Sequence, residues 1–365
     1  MMRHTRTWMA LAFLSGALVA CDTGTGPGSL AEFDAEAALE DYRTLDRVLG
    51  SEGWKGFLAM GGAVSMETFG PAVEIALSAP RDLRGLRDGR GARALATRLL
   101  AAGAREPHAA AAPVISPQNR GTTFVYDAAL DRYVADPQRA GAPANGVRFI
   151  VYRERSGGRP DPAQEIGHAD LIDEGDGSSV DIALRLVVVQ GDRTVLDYRT
   201  TLDEDGADGS ITVSGFVRDD NDRLDFDIAA RGSERPDRSA LDVEFSMGVD
   251  NRDFEIVGAV SGAEEGRSES GDIDVQVRHG RESLRVDLTG TGTSISGTVY
   301  LNGDTFATVS GDPDAPTFTS GDGDPLTQPE LLVLYRVVDV VEDVFDLFED
   351  LLDPVDEIVL LAVIL

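Results

Sequence analysis

The central part of the chain alternates apolar and polar residues with a period of two. The clearest runs are residues 180–189, 224–229, 241–249, 273–277 and 284–288. In the run at 224–229, Leu224, Phe226 and Ile228 alternate with Asp225, Asp227 and Ala229. Successive side chains of a β-strand point to opposite faces, so each run predicts a strand with one apolar and one charged face.

Short polar turns separate these runs. They lie at residues 190–192, 203–209, 219–222, 250–251, 279–280 and 302–303. Short connections join antiparallel strands, because a parallel return needs a crossover of about a dozen residues or more. Residues 118–311 are therefore predicted to form a large antiparallel β-meander, and its apolar face must be covered by other elements.

Helical patterns flank this strand-rich region. Ser29-Leu30-Ala31-Glu32 matches a capping box, and apolar residues follow at helical spacing up to Gly50. Residues 54–62 are apolar but are compatible with a helix or a turn, and residues 93–102 predict a further helix. An Ala- and Pro-rich stretch at 105–117 predicts a linker, which ends the helical region 29–117.

The last segment, residues 312–365, combines a linker with a C-terminal helix. From Glu330 to Pro354 acidic residues form one stripe opposite a broad apolar side, and an apolar tail follows at 358–365. The tail is too short to cross a bilayer, so we expect it to be buried, and association with a membrane surface is the alternative. The predicted fold class is α+β, a large curved antiparallel β-meander packed against N-terminal helices and a C-terminal amphipathic helix.

The N-terminus has the three zones of a secretion signal. Arg3, His4 and Arg6 are followed by an apolar stretch at 8–17 and by Leu18-Val19-Ala20-Cys21. The apolar stretch is shorter than the roughly 20 residues that span a bilayer as a helix. The last four residues resemble the lipobox of bacterial lipoprotein precursors.

This resemblance implies a lipid anchor at Cys21. Residues 1–20 would be a cleaved signal peptide, and Cys21 would carry a diacylglycerol thioether and an N-acyl chain. Two or more acyl chains anchor a protein stably to a membrane. Residues 21–28 predict a flexible tether, and Asp22 resembles an inner-membrane retention signal of some enteric bacteria. The alternative is that Cys21 is a chance thiol in an ordinary signal peptide.

The composition narrows the possible partners. The formal net charge of −31 argues against nucleic acid, because phosphate backbones are bound by Lys and Arg. The 42% of hydrophobic residues is enough to form a sizeable core, so the chain is not a disordered acidic tail. Cys21 is the only cysteine, which leaves no partner for a disulfide within the chain.

Motifs for common catalytic chemistry do not occur. The four histidines, His4, His108, His168 and His279, are dispersed along the chain, and each is expected to be a solvated or hydrogen-bonded residue. There is no His-Glu-x-x-His, Gly-x-Ser-x-Gly or phosphate-loop pattern. The sequence therefore predicts no enzyme, no catalytic or metal-ligating residues and no cofactor.

Aspartate-rich turns raise the possibility of calcium. The closest candidate is the turn at 203–209, which has Ala207 where the helix-loop-helix calcium loop needs an oxygen ligand and Asp208 where it needs Gly. The turns at 219–222 and 322–324 are shorter. Aspartate, asparagine and glycine are also the residues that tight turns prefer. Solvated turns are therefore the favoured interpretation.

Three functional hypotheses follow from these patterns. The first is a lipid-anchored, non-catalytic protein of the bacterial cell envelope, exported through the inner membrane, with a structural role or another envelope protein as its partner. The alternative is a carrier or sensor of an apolar ligand held between the sheet and the terminal helices, which resembles periplasmic lipoprotein carriers in architecture only. An outer-membrane barrel is disfavoured, because aromatic residues make up only 6% of the chain.

Overall fold

The computed structural model describes residues 35–61 and 115–335. Short gaps fall at 116, 156–157, 176–181, 206–207, 236–237, 251, 266–267, 292, 313–314, 322–324, 329–330 and 333. Cys21, the signal peptide, the tether, the predicted helix at 93–102 and most of the predicted C-terminal helix lie outside the described residues.

Two helices precede the strands in the described part of the chain. Helix α1 spans Ala35–Leu49 and ends beside Gly50, where the apolar spacing predicts its end. Helix α2 spans Glu52–Gly61, so the apolar residues after Trp54 that were ambiguous in the sequence are helical. The Ser51 hydroxyl accepts a hydrogen bond from the Trp54 backbone N–H and caps α2 at its start.

The rest of the described chain is mostly β. The strands are β1 Thr122–Asp127, β2 Arg132–Ala135, β3 Gly146–Arg155, β4 Arg159–Asp173, β5 Ile182–Gln190, β6 Arg193–Asp205, β7 Asp208–Arg218, β8 Arg223–Arg235, β9 Arg238–Val249, β10 Phe254–Glu265, β11 Ser268–His279, β12 Glu282–Thr291, β13 Ser294–Leu301, β14 Asp304–Asp312 and β15 Ala315–Ser320. The last strand lies beyond residue 311, where the sequence predicts the sheet to end.

All strands belong to one open sheet. Their order is β15-β14-β13-β12-β11-β10-β9-β8-β7-β6-β5-β4-β3-β1-β2, so β15 and β2 form its edges. From β4 to β15 each strand pairs antiparallel with the strand that precedes it in the sequence. The predicted meander is therefore present over most of the sheet.

Two expectations about the fold class are corrected. The sheet is mixed rather than wholly antiparallel, because β1 runs parallel to β3 with Thr122 opposite Val147. The residues from 128 to 145, including β2, connect these two strands, and this connection is long enough for a parallel return. The α+β class is not confirmed, because strands dominate the described residues and only two helices occur among them.

The hairpin turns use residues that tolerate positive φ. Asn302 and Gly303 join β13 to β14 with φ angles of 51° and 94°. Positive φ at both central residues defines the turn whose twist matches two antiparallel strands, and Asn-Gly is its preferred sequence. Gly280, with φ 59°, begins the connection between β11 and β12.

The alternation of the sequence places the apolar side chains on one face of the sheet. Across β8, β9 and β10, Leu224 lies opposite Val249, which lies opposite Phe254. The largest side chains that are almost completely buried are Phe57, Met60, Ile115, Phe149, Leu171, Leu184, Leu186, Leu196, Tyr198, Leu224 and Ile228. They belong to one hydrophobic cluster that also includes Leu334, near the end of the described chain.

Helix α2 contacts the apolar face at β3 to β6. Gly56 permits a close approach, because a Cβ at this position would lie 2.9 Å from Val151 Cγ1 and 3.1 Å from the Tyr152 carbonyl oxygen. On the same helix the Phe57 ring meets the Tyr198 ring edge-on, with centroids 6.4 Å apart. Helix α1 contacts the sheet further along, where the Tyr42 and Phe254 rings meet at 5.5 Å.

Removal of one buried leucine tests the one-sided core. Leu224 is 0% exposed, and Leu130, in the turn between β1 and β2, is 54% exposed. We expect Leu224→Ala to lower the free energy of unfolding by about 2–5 kcal/mol, because it loses buried surface and leaves a cavity. Leu130→Ala, the same substitution in solvent, is expected to change it by less than about 0.5 kcal/mol. Urea denaturation followed by circular dichroism measures both, and equal effects would contradict this placement of the core.

Candidate functional site

The face of the sheet opposite the apolar core is polar, and it is the candidate functional surface. We call it the polar face. One row of directly opposed residues crosses it from β8 to β13 and consists of Asp227, Ser246, Val257, Gln276, Arg285 and Tyr300. Every second residue of each strand contributes to this face, so the same alternation that forms the core also forms the polar surface.

Paired arginine and aspartate side chains recur on the polar face. The Arg148 guanidinium on β3 donates two hydrogen bonds to Asp170 on β4, at 2.6 and 2.7 Å. Two further pairs repeat this two-bond geometry between adjacent strands, Arg185 with Asp197 and Arg285 with Asp274. The hydrogen bonds raise the pKa of Arg148, Arg185 and Arg285. Exposed pairs add little stability, about 0–1 kcal/mol each, so their main effect is to hold the side chains in position.

A broad depression lies on the polar face between β8 and β13. Its volume is about 1110 Å³, and its lining includes Asp227, Glu244, Asp274, Arg285 and Tyr300. The Arg285 guanidinium carbon lies 5.9 Å from the centre of the Tyr300 ring, so one cation bonds to Asp274 and also faces an aromatic ring. The depression thus presents carboxylate, amide and hydroxyl groups. The strands that carry these groups lie inside the sheet and are paired with a neighbouring strand on each side.

A second polar cluster attaches α1 to the turns of the sheet. The Asp41 carboxylate, 5% exposed, accepts a hydrogen bond from Arg252 Nη1 at 2.8 Å and lies 2.6 Å from His279 Nδ1. Arg252 follows β9, and His279 ends β11, so one buried carboxylate joins the helix to two separate parts of the sheet. A buried charge that is paired and hydrogen-bonded is tolerated, whereas an unpaired one is costly. His279 therefore has a structural role.

The aspartate-rich turn at 219–222 is held by hydrogen bonds and an arginine. Asp219 Oδ1 accepts hydrogen bonds from the backbone N–H groups of Asn221 and Asp222, and its Oδ2 accepts one from Arg47 Nε at 3.2 Å. Asp222 also pairs with Arg47. Burial alone would raise the pKa of Asp219, but the backbone hydrogen bonds and Arg47 outweigh it, and the net effect is a lowered pKa. This turn is therefore an attachment point for α1.

The remaining candidate residues of the sequence are distributed as follows. Cys21, His108 and the aspartates at 322–324 lie outside the described residues, as do the side chains between 202 and 207. His168 lies on β4, in a cavity that is separate from the broad depression. Among the residues that the structure describes, no group of three or more His, Cys, Asp or Glu residues is arranged to hold a metal ion.

Sequence reasoning missed the arginines of the polar face. It recognised charged faces on the strands but named no individual pairs. These pairs can be recognised only from the register of neighbouring strands. Arg285 and Asp274 are eleven residues apart in the sequence, and the pairing of β11 with β12 brings them together. A hairpin register derived from the Gly280 turn would have brought these two residues together.

Comparison of the chain with protein-family models, with curated proteins and with solved structures gives no match. Within the described residues, no helix is both long enough and apolar enough to cross a membrane.

Acid titration tests the role of Asp219. Its lowered pKa means that the folded state keeps this carboxylate ionised after the unfolded chain has taken up a proton. This stabilisation is present above the ordinary aspartate pKa and is lost as the pH falls from about 4 through the lowered value. We expect Asp219→Asn to cost about 1 kcal/mol at pH 7, through the weakened bond to Arg47, and to flatten the acid limb of the stability curve.

Asp192→Asn, in the exposed turn between β5 and β6, is the matched control. Thermal unfolding between pH 2 and pH 7 measures all three proteins, and the control is expected to follow the parent. An acid limb that is equally steep in the parent and in Asp219→Asn would contradict this role for Asp219.

Proposed function

We propose that this protein is a lipid-anchored, non-catalytic component of the bacterial cell envelope that presents the polar face of its sheet to another envelope protein. The anchor is Cys21, and the tether at 21–28 separates the sheet from the membrane. The curved sheet is covered on its apolar side by the N-terminal helices and by the C-terminal amphipathic helix. Its role is structural or partner-binding.

The recurrent arginine–aspartate pairs of the polar face carry the non-catalytic part of this proposal. Acid–base and nucleophilic catalysis need a group whose pKa or reactivity is tuned for a reaction. Asp170, Asp197 and Asp274 are instead each held by a guanidinium in a two-bond geometry. Two parallel hydrogen bonds from a guanidinium hold a carboxylate in a fixed position. Such groups suit a surface of fixed shape and charge better than a reacting centre.

The packing of the apolar side favours this role over an apolar carrier. A carrier needs a cavity lined by apolar side chains between the sheet and the helices. In the described region Phe57 of α2 packs against Tyr198 of β6, and both are almost completely buried. The cluster continues through Leu224 and Ile228 of β8. This continuous packing supports a filled interior.

Replacement of the anchoring cysteine tests the localisation. We expect Cys21→Ser to lose most of its membrane-bound fraction, because a chain without acyl groups lacks the burial that holds a lipoprotein in the bilayer. Cell fractionation with antibody detection of the full chain measures the distribution. Thr23→Ser, two residues after Cys21, is the matched control and is expected to stay with the membrane. A Cys21→Ser chain that sediments with membranes as fully as the parent would disprove the anchor.

A lipid analysis separates the proposed scaffold from the carrier. We expect the full chain, after gentle extraction, to contain covalent acyl groups but far less than one non-covalent lipid per chain, because the buried apolar side chains of the described residues pack into one contiguous cluster. Native mass spectrometry of the protein and mass spectrometry of its organic extract measure the two kinds of lipid. One non-covalent lipid per chain would contradict the proposed scaffold role and would support the role of a lipid carrier.

A further inference from the structure

A small polar cavity lies on the polar face near one edge of the sheet, away from the broad depression. Its volume is about 380 Å³. Thr123 of β1, Arg148 of β3 and His168 of β4 line it, and Arg139 closes it from the connection between β2 and β3. Its volume is within the range of about 300–1,000 Å³ that is typical of pockets for small molecules.

Strand register brings the lining residues together. Thr123 lies opposite Arg148 in the parallel pair of β1 and β3. Arg148 in turn lies opposite Asp170 in the antiparallel pair of β3 and β4, and His168 is two residues before Asp170 on the same face. The parallel pair is therefore what adds a hydroxyl to a surface that otherwise carries ion pairs.

Two arginine–carboxylate pairs form the walls of the cavity. Arg148 Nε and Nη2 bind Asp170, and Arg139 Nη1 lies 2.9 and 2.8 Å from the two oxygens of Glu165. These bonds do not use Arg148 Nη1 or Arg139 Nη2, and a carboxylate has more acceptor positions than these bonds occupy. Each wall thus offers both donors and acceptors to a ligand.

The Thr123 hydroxyl is the observation that points to a ligand. Thr123 is 1% exposed, and among the described residues its Oγ1 has no hydrogen-bond partner. A buried polar atom without a partner is costly, and most such atoms in folded proteins are satisfied by protein or by a bound molecule. Because Thr123 lines the cavity, a molecule in the cavity can satisfy this hydroxyl.

His168 adds a neutral ring to the cavity. Burial of the ring, together with the nearby positive charge of Arg148, lowers the pKa of His168 below its ordinary value. The neutral form therefore dominates at pH 7, and a neutral imidazole has one donor nitrogen and one acceptor nitrogen. The ring thus offers hydrogen bonds of both kinds and adds no charge.

The charges of the cavity offset one another. The positive charges of Arg139 and Arg148 are matched by Glu165 and Asp170. The chain as a whole carries −31, which disfavours the approach of an anion. A site that is neutral and rich in both donors and acceptors matches hydroxyl groups, because each hydroxyl donates one hydrogen bond and accepts others.

We propose that this cavity binds a neutral polyhydroxylated molecule of monosaccharide size, with the Thr123 hydroxyl in direct contact with the ligand. Ile150 and Ala140 supply a small apolar surface for the carbon atoms of the ring. The site goes beyond the anchoring and scaffold roles, and it does not depend on the lipid at Cys21.

Sugars that share one ring and differ in charge test the class of ligand. The full chain is purified in a detergent without a sugar headgroup, and saturation-transfer difference NMR is recorded with D-glucose, D-galactose and D-mannose. Each is compared with its uronate, as the anion, and with its 2-amino sugar, as the cation. We expect at least one neutral hexose to bind about tenfold more tightly than both charged counterparts, a difference typical of one well-placed hydrogen bond or charge. Tighter binding of a charged sugar, or no binding of any neutral hexose, overturns the proposal.

Two matched variants test the contact with Thr123. Thr123→Val and Thr200→Val each replace a buried hydroxyl that has no partner among the described residues by a methyl group of similar size. Thr200 is 5% exposed and lies opposite Leu184 and Val213 on the apolar side, away from the cavity. Without sugar, both variants are expected to unfold at the parent temperature or slightly above it, which shows that they are folded.

The two variants are expected to differ in sugar binding. Thr123→Val should bind the hexose at least about tenfold more weakly than the parent, whereas Thr200→Val should bind it as the parent does. If Thr123→Val binds the hexose with the affinity of the parent, the assigned contact is wrong. If both variants lose affinity equally, the loss is not specific to the cavity and the proposal fails.

Discussion

The structure depends on the need to cover one apolar face of a very wide sheet. An antiparallel sheet can leave one face in water, but the other must be removed from it. Here the strands from β3 to β14 contribute to a single hydrophobic cluster that also contains side chains of both described helices. Gly56 allows α2 to approach β3 closely, and Asp41 joins α1 to the turns near β9 and β11. The helices are thus positioned by packing over the apolar face and by buried charge pairs at its margin.

On the polar face, side chains are held in position mainly by ion pairs between arginines and carboxylates. Arginine is suited to this role because its planar guanidinium donates two parallel hydrogen bonds to one carboxylate. The pairs lie between neighbouring strands, as for Arg148 with Asp170 and Arg285 with Asp274. A protein with a large excess of acid side chains thereby holds part of its surface in a defined arrangement. The small cavity at β1, β3 and β4 uses the same kind of pair as its walls.

Much of the sheet could be predicted from the sequence, because the alternation at Leu224, Phe226 and Ile228 is strict and the connections between successive strands are short.

The first strands of the sheet, β1 to β3, are harder to predict from the sequence. In β3, the consecutive residues from Phe149 to Tyr152 are all buried, so period two is lost, and the loop after β2 covers part of the polar face. The parallel pairing of β1 with β3 depends on contacts between distant residues, and no local pattern encodes it. The cavity was missed for this reason, since Thr123 meets Arg148 only through that pairing. The lipid anchor at Cys21 remains a prediction.

The pairing of each strand from β4 onward with its immediate predecessor has a consequence for how the sheet forms and changes. Contacts between close neighbours in the sequence need only short loops to close, which favours rapid assembly from local units. As in repeat proteins, each hairpin interacts mainly with the hairpins beside it. A duplication or deletion of the edge hairpin β14–β15 would leave the strands from β1 to β12 with their original partners, and every remaining strand with its original orientation. The width of such a sheet can therefore vary in evolution by whole hairpins. The pairing of β1 with β2 and β3, at the other end of the sheet, is not changed by a duplication at the far edge.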